Sequence, residues 1–213
     1  MVHKHVFAIC RTEEIMNTLF SYGFEFDKIY NMSGLGLPAN IDWAYGATRL
    51  VVWDWDYPDF VVKIPLGTDC FKYCEREAEI YRTAVVSGVD RYFAWCDFID
   101  YYNDWPIYAM EFVDCDSDTI EDESYSSAYE EWCNENGYDM TDEEASDEFN
   151  DLYYSDEMCY DSILDWFYSQ VSDMIRDALY RFISRNKVND LHAQNIGYLN
   201  GHVCLCDYAG FGW

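Results

Sequence analysis

Apolar positions along the chain fall into alternating rhythms. Thr12 followed by Glu13 and Glu14, then Ile15, Leu19 and Phe20 at helical spacing with Gly23 behind, predicts a short capped helix as an N-terminal flanking element. Between Trp43 and Ile64 the period shortens to two. WAYGATRLVVW, a polar turn DWDYPD and FVVKI read as a hairpin with Gly46 inside its first strand. Residues 69–87 return to helical spacing, with an Asp or Thr start, Gly88 as the stop, and Cys74, Glu77, Tyr81 and Ala84 on the inward stripe. A charged residue thus falls on the apolar face. FAWCDFIDYY, a turn at Asn103 and Asp104, and PIYAMEFV form a second hairpin, rich in aromatic and β-branched residues.

The second half changes character. No Lys or Arg occurs between Arg91 and Arg176, and residues 114–161 are dense in Asp and Glu. Tyr125, Tyr129 and Trp132 at helical spacing, then Thr141 with Glu144 as a capping box ahead of Phe149, Leu152 and Tyr153, predict short helices there. From Asp161 onward Ile163, Phe167, Val171, Met174, Ile175, Leu179 and Phe182 predict one long amphipathic helix, with Arg176, Arg181 and Arg185 suiting its C-terminal end. Two short apolar strands around Asn200-Gly201 come next as a hairpin.

Composition narrows the function classes. Half of the 213 residues are hydrophobic and 19% are aromatic, enough for a buried core in one compact domain with room for two lobes. The formal charge of −28 opposes binding to nucleic acid or to an anionic membrane, so a basic or neutral partner is expected. The N-terminal apolar run is too short for a signal peptide and no stretch is long enough to span a bilayer, so a cytoplasmic protein is expected. Nine cysteines without a CxxC pair imply reduced thiols. Zinc ligation comes into question for Cys70 with Cys74, Cys204 with Cys206, and His3 with His5. No pair has a matching second pair at the usual spacing, and small buried hydrophobes are the better reading of the cysteines.

Chemistry concentrates near the C-terminal hairpin. Asp190 and Asn195 lie just before it and Asp207 just after, so three polar side chains converge at one end. Phosphoryl transfer uses such a set: a carboxylate near the attacking hydroxyl, and an amide oxygen with a second carboxylate for magnesium. Taken singly, these residues are turn formers or caps, and Lys63 on its apolar strand could snorkel at an edge. Their joint order is what carries the signal.

That order resembles the protein-kinase superfamily. VVKI resembles the lysine strand, Glu77 the helix-C acid, AMEFV the hinge, DLHAQN the catalytic loop and DYAG the magnesium motif, over roughly residues 43–210. The loop variant is most similar to compact bacteriophage serine/threonine kinases, and also to aminoglycoside-type phosphotransferases. The resemblance implies an α+β fold: a flanking helix and loop (1–42), a β-rich N-lobe with one helix C (43–113), and a minimal, acidic helical C-lobe (114–213). It implies ATP and Mg²⁺ as cofactors. Lys63 would contact the α- and β-phosphates, oriented by Glu77 with Glu79 as the fallback, and Gly46, Ala47 and Thr48 would cover the phosphates. Met110, Glu111, Phe112 and Val113 would read adenine through backbone groups. Asp190 would position or deprotonate the acceptor, His192 would take the place of the catalytic-loop lysine, and Asn195 and Asp207 would bind Mg²⁺.

Departures accompany the matches. Val188-Asn189 stands in place of His-Arg and Tyr208-Ala209 in place of the usual Phe. The residues after Gly210 end at Trp213, so the peptide platform of ordinary protein kinases is expected to be missing, with the acidic helices replacing part of it. Three functions are compatible with this: a protein Ser/Thr kinase, as in a virus acting on host proteins; a small-molecule phosphotransferase with the acidic segment as substrate wall; and a catalytically silent module that binds a basic host protein. The oligomeric state is not encoded in these motifs.

Overall fold

A computed structural model of the chain describes residues 2–154 and 156–210; at 2, 3, 144, 156 and 157 it describes the backbone alone. The fold is mixed α+β, with a five-stranded antiparallel sheet and several helices, and divides into two compact units, Met1–Phe112 and Val113–Trp213.

The first unit opens with helix α1 (Val2–Ser21), twice the span expected from the capping pattern. Thr12 is no cap: it is buried on the stripe of Ala8, Ile15, Met16 and Leu19, where a small side chain fits the inward face, so the helix runs straight through it. Strands β1 (Ile41–Tyr45), β2 (Arg49–Asp54) and β3 (Phe60–Pro65) succeed it. WAYGATRLVVW is therefore two strands, and Gly46 lies in the turn between them rather than inside a strand. The turn closes through Gly46 N–H donating to Arg49 O at 2.9 Å, a local bond that outcompetes continued extension.

Helix α2 (Phe71–Ser87) starts after a 3-10 turn at Thr68–Cys70, without a side-chain cap, and stops at Gly88, whose φ of 71° is the left-handed conformation a C-terminal cap requires. Strands β4 (Cys96–Tyr102) and β5 (Trp105–Glu111) form the second hairpin around Asn103 and Asp104, both at positive φ as a two-residue turn demands. The sheet order is β1-β2-β3-β5-β4, all antiparallel, which makes β3 central and buries it throughout. Alternation then decides the faces. Leu50, Val52, Val62, Ile64 and Ile107 pack on Ile15, Met16 and Leu19 of α1. Lys63, between Val62 and Ile64, points to the opposite face and to α2.

The second unit contains helices α3 (Ser117–Asn136), α4 (Glu143–Tyr153), α5 (Asp156–Ser169) and α6 (Asp173–Asn186), then the hairpin β6 (Ile196–Leu199) and β7 (His202–Leu205) around Asn200-Gly201. The acidic stretch folds because its apolar residues converge: Tyr129, Cys133, Phe149 and Tyr153 form a buried cluster with Tyr125 and Trp132 against it. Thr141 is not seen as a box. Its hydroxyl donates to Asp139 Oδ1 at 2.7 Å, and the Glu144 side chain lies outside the described residues. The single long helix expected after Asp161 is two, broken at Val171 and Ser172. Arg176 makes the break stable: its Nε donates to Tyr168 O at 2.9 Å and its Nη2 to Val171 O at 3.0 Å, satisfying one carbonyl in the last turn of α5 and one in the break from the first turn of α6. Met174, expected on the inward stripe, is 95% exposed as a result.

Burial raises the phenol pKa values of Tyr129, Tyr153 and Tyr168 from 10.0 to about 12. A folded-state pKa above the unfolded one means stability is complete below pH 10 and is lost as pH rises toward 12. Alkaline titration followed by tyrosinate absorbance and far-ultraviolet circular dichroism is expected to show these phenols ionising together with loss of helix. Their ionisation in a still-helical protein would contradict it.

At the base of the hairpin, Tyr198 N–H donates to Asp114 O at 3.1 Å, and the segment 113–114 runs against β6. A Cβ at Gly197 would collide with the Asp114 carbonyl oxygen and with Val113 Cγ1, so glycine permits this backbone approach.

Candidate active site

In the first unit the strand and helix patterns bring one cation and one anion together in a dry environment. Lys63 Nζ lies 3.1 Å from Glu77 Oε1 and 2.9 Å from Oε2, with Lys63 4% and Glu77 0% exposed. Glu79, the fallback for this role, lies on the exposed side of α2. A third buried charge joins them. Arg49 Nη1 is 2.5 Å from Glu77 Oε2, so one carboxylate holds two cations. The β2–β3 register explains why: Val51 faces Lys63 and Arg49 faces Pro65, which places Arg49 and Lys63 on one face as diagonal neighbours. No motif asks for Arg49, and its alternation with Val51 and Trp53 fixes only its face of β2; the register with β3 puts it beside Lys63. Its Nε also donates to the buried Thr48 Oγ1 at 3.2 Å, tying the turn at 46–48 to α2 through Glu77. Nearby, burial and then the Glu77 carboxylate push the Cys96 thiol well up, and burial raises the Tyr108 phenol opposite Lys63. Charge interactions here act in a low local dielectric.

The expected hinge residues end the first unit and begin the second. Met110 and Glu111 finish β5. The backbone N–H of Glu111 donates to Trp95 O at 2.9 Å and that of Phe112 to Asp59 O at 3.0 Å, so both donors are engaged internally. The Glu111 carboxylate is engaged too, by Lys4 Nζ at 2.5 Å and by Trp95 N–H at 3.1 Å. Val113 falls in the second unit.

There the loop after α6 is pinned by buried Val188 and Leu191, leaving the Asp190 and His192 side chains 29% and 43% exposed. A 3-10 turn at Ala193–Asn195 then turns Asn195 inward. The Asn195 amide nitrogen donates to Asp190 O at 2.8 Å and lies 3.0 Å from His192 Nε2. An amide nitrogen only donates, so this contact is a hydrogen bond when the ring proton sits on Nδ1. His192 Nε2 is also 3.7 Å from Asp190 Oδ1. Ile196 faces Leu205 in the ladder, and Cys206 N–H donates to Asn195 O at 3.0 Å, which puts Asp207 one residue beyond Asn195's partner. Tyr208 and Ala209 behind it are fully buried, anchoring the half-exposed Asp207. Asp190, His192, Asn195 and Asp207 are thus gathered at one end of the hairpin.

The second unit also has a groove of about 610 Å³ between α3 and α5, lined by Glu131, Glu135, Asp161 and Asp165 with Trp132 and Trp166. Among the described residues no helix is long and apolar enough to cross a membrane.

No protein-family description matches this sequence, and no curated protein matches it. One similar solved structure is that of a streptomycin–ATP–APH(2'')-IIa ternary complex, 16% identical with a TM-score of 0.37 over 79% of this chain and 65% of that one. The protein spans less than two-thirds of that neighbour's length. The functional reading therefore rests on the residues themselves.

Proposed function

We propose that the protein is an ATP-dependent phosphotransferase of the protein-kinase-like type, moving the γ-phosphoryl group to a Ser or Thr hydroxyl of a protein partner. The observation that supports it most is the buried Lys63–Glu77 ion pair. Burying a charged pair costs desolvation that apolar residues would not incur, so its position between a central strand and a helix argues for use beyond stability. In this reading Lys63 meets the α- and β-phosphates, and Glu77 fixes its direction.

The second unit's donor set fits magnesium. The Asn195 amide nitrogen is turned to Asp190 O and His192 Nε2, which leaves Oδ1 as its ligand atom, and Oδ1 with the Asp207 carboxylate would supply two of the hard oxygen donors this ion takes. Mg²⁺, when bound, would supply neutralisation of charge on the phosphate oxygens. His192 serves as a positioning residue, since its ring nitrogen lies 3.0 Å from the amide nitrogen of Asn195. Half-exposed Asp190 is placed to accept the proton of an incoming hydroxyl. With a formal charge of −28, the protein would favour a basic or neutral substrate.

The test is label transfer from [γ-³²P]ATP with Mg²⁺ to a bacterial lysate. Asp190→Ala and Asp207→Ala are each expected to reduce labelling by about a hundredfold or more. No labelling by wild type, together with no binding of Mg·ATP, would overturn the proposal and leave the acidic binding module. A second reading, transfer to a small cationic hydroxyl compound, is favoured by the acidic groove with its two tryptophans, which suit a desolvated cation. Label appearing on an added amino sugar without any protein acceptor would select it.

A further inference from the structure

Cys206 stands between the two residues proposed to hold the metal, and its sulfur has a second thiol as neighbour. Cys115 Sγ and Cys206 Sγ are 3.1 Å apart, both partly exposed. Their backbones are held in register independently of the sulfurs. Asp114 O receives the Tyr198 N–H at 3.1 Å, and Cys206 N–H donates to Asn195 O at 3.0 Å, so the thiols meet between segments whose backbones these bonds tie to the hairpin. A disulfide closes to about 2.05 Å, so about 1 Å of approach separates the observed contact from a covalent bond. The buried cysteines Cys74, Cys96, Cys133 and Cys204 offer a soluble oxidant no comparable access.

We propose that Cys115 and Cys206 are a thiol–disulfide modification site that responds to a low-molecular-weight disulfide of the glutathione class and controls the placement of Asp207. One thiolate attacks oxidised glutathione, forming a mixed disulfide and releasing one glutathione thiolate. The second protein thiolate attacks the protein sulfur of that mixed disulfide, forming the Cys115–Cys206 bond and releasing the second glutathione. The two protons leave with the two glutathione thiols, and the two electrons reduce the glutathione disulfide. Closure draws residue 206 toward residue 115. Because Asp207 comes directly after and Asn195 is bonded to the Cys206 backbone, the strain falls on both proposed metal ligands. The effect on phosphoryl transfer rests on the function proposed above; the cross-link does not.

The full-length protein would be incubated with oxidised glutathione, digested without reduction and mapped by mass spectrometry, beside Cys115→Ser and Cys206→Ser. The expected result is one cross-linked peptide pair joining residues 115 and 206, absent from both variants, with two glutathione molecules released per chain. Phosphoryl transfer by the wild type should fall at least about tenfold on oxidation and return with dithiothreitol, as a misplacement near 1 Å predicts. Cys115→Ser should keep the basal rate and ignore the oxidant. Persistent glutathione adducts on both residues, or cross-links elsewhere, would overturn the pair. A cross-link without change in rate would overturn the link to Asp207, whereas a reduced protein with no transfer at all would overturn the phosphotransferase reading while the peptide map still reports the disulfide.

Discussion

Replacing Lys63 with methionine is expected to remove phosphoryl transfer while leaving the chain folded. The loss should be on the order of a hundred- to a thousandfold in kcat, the effect of withdrawing a preorganised charge from a transition state. The fold survives because Glu77 keeps a partner: Arg49 Nη1 remains 2.5 Å from Oε2, and methionine fills much of the lysine stem's volume between Val62 and Ile64. Steady-state kinetics beside thermal unfolding separates the two effects. A variant with activity within about threefold of wild type would reduce Lys63 to a structural cation, since that corresponds to under about 1 kcal/mol. A variant that fails to fold would show instead that Arg49 does not neutralise Glu77 alone.

The reverse substitution should have the opposite signature. Glu77→Ala withdraws a carboxylate shared by two cations, each 4% exposed, on a helix face that cannot admit bulk water. Breaking a buried pair by removing one partner costs about 3–5 kcal/mol, and here one deletion disturbs both cations. The stability of the first unit in a urea titration is expected to fall by that amount, with Arg49→Met costing less because Lys63 still occupies Glu77. A change below about 1 kcal/mol, the scale of an exposed pair, would show that the cluster is solvated in solution.

How far the sequence could be read depended on the range of the interactions that decide each feature. Glu77 betrayed itself by falling on an apolar helical stripe, and the Asn103-Asp104 and Asn200-Gly201 turns by their local chemistry, which fixes positive φ without help from the rest of the fold. The expected α+β class came from the resemblance that the ordered motifs carry. Arg49 could not be found that way, because its importance comes from a cross-strand register set by β3. The break between α5 and α6 was hidden for a similar reason: Val171 and Ile175 continue the apolar rhythm, and only the Arg176 guanidinium reaching back to Tyr168 O and Val171 O makes two helices preferable to one. Thr12 misled in the other direction, a capping residue by type that tertiary packing placed in a helix interior.

The close approach of Gly197 to the carbonyl of Asp114 also bears on the order in which the protein assembles. A two-stranded hairpin alone is marginal in water, and this one leans on a third backbone supplied from the far side of four helices in the sequence. During synthesis that edge emerges first and must stay open until the helices have been made, so the pairing that completes it is a late, non-local event. Asn195 and Asp207 flank this hairpin and acquire their places only when it closes. A chain stalled before that step would carry its acidic helices in near-final form and yet leave Asn195 and Asp207 unassembled. Slow closure would therefore appear as a delay between the recovery of helix and the recovery of the proposed phosphoryl transfer during refolding.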